Sequence, residues 1–149
     1  MYHAPIDFEE IAKSLQQTIP EGEVIDYVFF AAYKQEESEQ GNWDTNGRML
    51  ESFLKALEIS GIEKRGLKRV LLIMGAKYYG VHLGPVKNPC EESDPRVEGE
   101  GWPSNLYYNQ EDILKEKAKG KSWDGVIFMP NDIGVVSTRT SLSSQLTVW

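Results

Sequence analysis

The sequence predicts an α/β domain built on a parallel sheet with helices packed on its faces. Three observations carry that reading. First, the runs VIDYVFFAAY (24–33), RVLLIM (69–74) and GVIFM (125–129) are rich in β-branched and aromatic residues and nearly apolar on both faces, as strands buried between layers are. Second, segments with apolar residues at helical spacing stand between them. Third, the resulting order (helix, strand, helix, strand, long connection, helix, strand) is that of strands joined by crossover helices. A flavodoxin-like domain would read the same way.

The first helix is expected over 7–17, where Phe8, Ile11 and Leu15 share a face behind Asp7 and two early glutamates. Pro20 and Gly22 end it. The strand over 24–33 follows, then a charged loop, KQEESEQG (34–41). A second helix is expected over 44–59, with Met49, Leu50, Phe53, Leu54 and Leu57 on one face, Asp44 near its start and Gly61 beyond its end. After the strand over 69–74, residues 75–104 are rich in glycine and proline, with five of the 13 glycines and four of the seven prolines, and a connection so long is usually functional or mobile. The third helix, in NLYYNQEDILKEKAKG (105–120), is acidic early and basic late, as the helix dipole favours, and Gly120 suits its stop. The last strand, over 125–129, runs into PNDIG. The Ser/Thr-rich tail, 138–149, is expected to be loosely ordered beyond a domain spanning 1–137.

The totals narrow the function. The chain has 149 residues, one domain's worth, and a formal net charge of −7. A surface of that sign repels phosphate backbones, so nucleic acid is a poor partner. The single cysteine, Cys90, cannot form an internal disulfide, which fits a reducing compartment. The start, MYHAPIDFEEIAK, has no apolar core of a signal peptide, and the longest apolar runs are far too short to span a bilayer. The expectation is a soluble, cytoplasmic protein without membrane partners.

Ligands on parallel sheets bind outside the carboxyl ends of the strands. Those ends carry AAYK, MGAKYYG and MPNDIG. GAKYYG lacks the Lys-Ser/Thr that a phosphate loop requires, and a GxGxxG dinucleotide fingerprint is absent from the chain. His3 and His82 have no partners at metal-ligand spacing, and Cys90 has no basic neighbour to activate it. Lys77 directly follows a strand, where it is either an exposed loop lysine or a cation at the ligand edge. Tyr107 and Tyr108 open the third helix. At helical pitch they point about 100° apart, so one can pack inward while the other faces the sheet edge. A lysine near a phenol favours the phenolate and makes the pair a usable proton donor. No YxxxK is present, since Glu111 and Asp112 stand four residues beyond the tyrosines. Lys77 is therefore the candidate partner.

These segments resemble the progesterone 5β-reductase/iridoid synthase-like branch of the short-chain dehydrogenases/reductases, especially its fungal members. The resemblance rests on Gly75-Ala76-Lys77-Tyr78-Tyr79 followed by Gly84-Pro85, on Glu92-Ser93-Asp94-Pro95-Arg96, on Asn105-Leu106-Tyr107-Tyr108-Asn109-Gln110-Glu111-Asp112, and on Met129-Pro130-Asn131-Asp132-Ile133. Asp44-Thr45-Asn46 matches an earlier helix start. The resemblance runs over 24–133 and departs from the pattern after Ile133. It implies a Rossmann-like domain that binds NADPH and reduces an α,β-unsaturated carbonyl compound or a ketone, in secondary metabolism. It implies Tyr107 as the catalytic phenol, stabilising a developing enolate oxygen, and Lys77 as the cation that lowers its pKa. Tyr108 would mainly position the helix. Pro130, Asn131 and Asp132 would lie beside the nicotinamide, Ala31, Ala32 and Tyr33 beside the adenosine half, and Gly75 would also contact the cofactor.

Relative to that family the chain reads as a middle portion. The first strand, the Gly-rich turn and helix that seat the pyrophosphate, the strand that selects the 2′-phosphate and the substrate-binding C-terminal part are expected to be lacking. NADPH affinity should then be weak, and the strand over 24–33 should present an apolar edge prone to self-association. The competing functional reading is a catalytically inactive remnant that serves as a binding or interaction module.

Overall fold

The computed structural model describes residues 7–130. Helix α1 (Phe8–Thr18) begins where the Asp7 carboxylate accepts the Glu9 and Glu10 amides. It packs against helix α2 (Glu39–Ile59) and seals one flank of the core with Leu15 and Ile19. Strands β1 (Tyr27–Phe30), β2 (Arg69–Ile73) and β3 (Asp124–Phe128) form a parallel sheet in the order β1-β2-β3. Phe30 stands beside Leu72, and Leu72 beside Ile127. Helix α3 (Leu106–Ala118) crosses back between β2 and β3. The parallel α/β architecture is the expected one.

One expectation needs correction. The strands are not buried on both faces. Successive side chains alternate across a sheet. Phe30, Val70, Leu72 and Met74 enter a core with Leu50, Leu54, Leu57 and Leu114. The opposite face carries Phe29, 69% exposed, and Phe128, 58% exposed. Tyr27 on that face is exposed too. Among the described residues α2 and α3 cover only the first face, and the apolar runs of the sequence cannot say which face a helix will cover.

β1 is shorter than the run 24–33 because its ladder with β2 spans only the pairs Tyr27–Arg69 to Phe30–Leu72. α2 begins earlier than the sequence suggests. Ser38 caps it by accepting the Gly41 amide at 3.0 Å, so the end of the supposed loop is the first helical turn and Asp44 lies within the helix. The helices meet at Gly47, where an added Cβ would lie 2.2 Å from the Asn109 amide nitrogen. That nitrogen donates instead to the Trp43 carbonyl at 2.9 Å.

The chain leaving β1 is fixed by two asparagines one turn apart on α2. Asn46, fully buried, accepts from the Lys34 amide and donates to the Lys34 carbonyl, each at 2.9 Å. It also donates to the Asn42 carbonyl, and Asn42 accepts the Glu36 amide at 2.8 Å. Buried backbone groups left unpaired are costly, so this clasp defines how 31–36 leaves the sheet. Asn46→Ala should cost about 3 kcal/mol of unfolding free energy. Urea unfolding of the variant, with an unchanged m-value, checks it.

Candidate active site

Because the three strands are parallel, their carboxyl ends open on one edge of the sheet. Ala31, Ala32 and Tyr33 emerge there after β1, Gly75 after β2, and Met129 and Pro130 after β3. Ala31 and Ala32 are exposed; Tyr33 is half-buried, and its hydroxyl donates to the Gln35 side chain. Asn131 and Asp132 lie outside the described residues, as do His3 and the tail 138–149.

The two tyrosines of α3 diverge as helical pitch requires. Tyr107 is half-buried and packs against the core, with its hydroxyl beside Gly75: a Cβ there would lie 3.2 Å from that oxygen. The Gly75 backbone is extended, so glycine serves close approach here rather than an unusual φ. Among the described residues the Tyr107 hydroxyl has no hydrogen-bond partner. Tyr108, 1% exposed, is committed to structure. Its hydroxyl donates to the Tyr78 carbonyl at 2.6 Å and accepts the Val97 amide at 2.8 Å, joining both ends of the long connection.

Lys77 lies in a 3-10 turn, Ala76–Tyr79, immediately after β2. Its carbonyl accepts from the Asn105 amide at 2.9 Å and from the Gly80 N–H at 3.1 Å. Asn105 in turn caps α3, accepting the Tyr107 N–H at 3.1 Å. The Lys77 side chain is exposed, and among the described residues no carboxylate pairs with its ammonium. Loss of hydration lowers the His82 pKa first, and the Lys77 charge lowers it further.

Here the structure departs from the expected electrostatics. Tyr107 is not lowered by Lys77. Burial pushes its phenol above the ordinary value, and Tyr33 adds in the same direction. The structure brings the Lys77 and Tyr107 backbones together through Asn105 without placing the ammonium among the charges that set the phenol.

Sequence reasoning missed the network that holds this geometry. Arg96 donates to Glu111 at 2.7 Å and to Asp112 at 2.6 Å, and its guanidinium lies 5.0 Å from the Tyr108 ring centre. The Tyr78 hydroxyl donates to Glu111 at 2.8 Å, and Lys115 pairs with the other Glu111 oxygen. Burial opposes ionisation of Glu111, yet the hydrogen bonds from Lys115, Arg96 and Tyr78 hold its carboxyl below the usual range. Burial, then Glu111, pushes Tyr78 up to about 12. Asn105 directly before a helical run was the readable signal for the cap. Nothing in the spacing announced the pairing of Arg96 with Glu111.

Beyond the Lys77 turn, a largely apolar cavity of about 480 Å³ is lined by Tyr79, Leu83, Pro85, Val86, Val97 and Trp102. A second, between α2 and α3 beside Gly47 and Asn109, lies on the helices rather than at the strand ends.

A parallel sheet with its candidate chemistry gathered at the carboxyl edge defines a Rossmann-like α/β domain. The chain belongs to the PRISE-like Rossmann-fold domain family, whose model matches residues 6–149. That match extends beyond 24–133 on both sides and corrects the expected departure after Ile133. An uncharacterised protein of Schizosaccharomyces pombe is 47% identical over 125 residues, 83% of this chain and 30% of its own length. A 3-oxo-Δ4,5-steroid 5β-reductase of Arabidopsis thaliana is 35% identical over 103 residues, 64% of this chain and 24% of its own. The chain thus spans less than a third of either relative. Among solved structures, the Bordetella bronchiseptica enzyme WbmH in complex with NAD+ shares the fold, with a TM-score of 0.56 at 18% identity, over 89% of this chain and 39% of that one.

The Glu111 network makes a pH prediction. A carboxyl whose folded pKa is lowered contributes stability that is present above its unfolded value, near about 4.3, and lost as pH falls through the folded value. Arg96→Gln should therefore cost more stability at pH 7 than at pH 3. Melting temperatures of both proteins across that range check it, and a constant difference would remove the assigned role of the pair.

Proposed function

We propose that this chain carries the catalytic segment of an NADPH-dependent short-chain-type reductase acting on an α,β-unsaturated carbonyl compound or a ketone. The observation that carries the reading is the Tyr107 hydroxyl, without a hydrogen-bond partner among the described residues, against Gly75 at the carboxyl end of β2. Family membership and the steroid 5β-reductase relative support the class of chemistry.

The strand ends suit such a cofactor, with Ala31 and Ala32 on its adenosine side. Ala31 and Ala32 are small and exposed, and Gly75 leaves room that a Cβ would fill. The chain has no GxGxxG, so a dinucleotide-type pyrophosphate seat is not found in its sequence. Bound NADPH would supply the hydride. In reduction of a C=C bond, hydride supplied to the β-carbon would push an electron pair onto the carbonyl oxygen. The Tyr107 hydroxyl would donate a hydrogen bond to that oxygen as its charge grows, and the enolate would then take a proton from water at the α-carbon. Lys77 contributes positive charge at the same edge. The apolar cavity beyond its turn takes the hydrocarbon body of the substrate.

NADPH oxidation with small enones tests this reading. Tyr107→Phe should lower turnover by about 10²–10³-fold while leaving the melting temperature nearly unchanged, because the hydroxyl bonds to no protein group among the described residues. Equal rates for wild type and variant would remove Tyr107 from the chemistry. Gly75→Ala should also slow turnover, since its Cβ displaces the phenol.

The second reading, a catalytically inactive domain with a binding role, draws on the lack of a Lys77 effect at Tyr107. Calorimetry with NADPH separates the two. Micromolar affinity favours the reductase; no detectable heat, together with no turnover, favours the inactive domain.

A further inference from the structure

The cap of α3 does more than start a helix. Asn105 is 8% exposed, and both ends of its side-chain amide are used. The oxygen accepts the Tyr107 N–H at 3.1 Å, and the nitrogen donates to the Lys77 carbonyl at 2.9 Å. One planar amide therefore spans two segments thirty positions apart in sequence, which contribute the phenol and the ammonium of the proposed site. Capping alone needs only an acceptor, and Ser, Thr or Asp would serve. Reaching the Lys77 carbonyl needs a donor at the same time, and among these capping residues the amide of Asn offers both from a rigid plane.

The rest of the contact reinforces this placement without replacing it. Tyr108 holds the Tyr78 carbonyl, and Glu111 holds the Tyr78 hydroxyl, one residue beyond Lys77. Neither side chain bonds to the Lys77 carbonyl or to the Tyr107 N–H. Gly80 supplies the other hydrogen bond to the Lys77 carbonyl, but it belongs to the same turn and cannot tie that turn to α3.

We propose that Asn105 is a positioning residue that fixes the distance between the Lys77 turn and the start of α3, and so sets the relation of Lys77 to Tyr107 in the reductase site. This rests on the reductase reading given above. Asn105→Asp and Asn105→Ser keep the cap and lose the donated hydrogen bond or weaken its reach. Asn105→Ala loses both.

The test compares wild type with these variants in the full chain, by two independent readouts. The first is amide hydrogen exchange. Tyr78 and Gly80 should exchange about 5-fold faster in Asn105→Asp and Asn105→Ser, the loss expected for one buried hydrogen bond, while Leu71 and Leu72 of β2 keep their protection. The second is kinetics with NADPH and a small enone. The same variants should lose about 10–100-fold in kcat with KM for NADPH within about twofold, since misplacement of catalytic groups acts on the chemical step. Unchanged exchange at Tyr78 and Gly80 overturns the tether. Faster exchange with unchanged kcat in an active wild type overturns the positioning role. If wild type shows no turnover, the reductase reading fails on its own, and the exchange readout still decides whether Asn105 fixes the turn.

Discussion

Everything at the candidate site depends on how the first turns of α3 seat against the turn that leaves β2. Three side chains from consecutive parts of the helix make that contact. Asn105 takes the Lys77 carbonyl, Tyr108 the Tyr78 carbonyl, and Glu111 the Tyr78 hydroxyl. The first two acceptors are backbone groups of a segment whose own hydrogen bonds are those of a single 3-10 turn. Such a turn has little stability alone. Buried against the helix it becomes a fixed platform, because moving it would strand several polar groups at once. Arg96 then closes the arrangement from the far end of the connection, with a charge-assisted pair to Glu111 and Asp112.

The same seating explains why α3 opens on two large phenols. Their divergence on the helix lets one side chain build the site and the other support it. Tyr108 is saturated, with a partner for its proton and another for its lone pair. Tyr107 is left with its hydroxyl at the sheet edge. The division follows from helix geometry and from which side of the helix meets the 3-10 turn. It does not depend on any difference in chemistry between the two residues.

Much of the fold was legible because its signals are local. The strands announced themselves as apolar runs, and α3 by its charge polarity and by Gly120, whose φ of +71° suits a stop. What escaped was set by contacts between segments. The early start of α2 depends on Ser38 as cap inside a run that reads as charged loop. The open sheet face depends on where helices pack, which periodicity does not specify. The clasp of Asn46 on Lys34 and the pairing of Arg96 with Glu111 join positions twelve and fifteen apart, with no fixed spacing to reveal them. At the site, Tyr107 and Lys77 could be nominated from their places at a helix start and a strand end. The amide that links them was visible only as one more asparagine before a helix.

The electrostatics at Tyr107 decide which role its phenol can take. In water a phenol has a pKa near 10, and burial here moves it upward rather than downward. A group so placed keeps its proton throughout the neutral range, so it is a hydrogen-bond donor and not a base. That is the form needed beside a carbonyl oxygen on which negative charge develops, where a donor already oriented in a partly desolvated site stabilises the charge without rearrangement. A lysine held close would matter differently, by easing release of that proton once the oxygen has taken charge. The Lys77 ammonium, exposed and acting on His82, is placed for a contribution of long-range positive charge. The phenol's burial and the lysine's exposure thus assign unequal parts. In the proposed reductase, Tyr107 would make the directed contact and Lys77 would add positive charge from farther away.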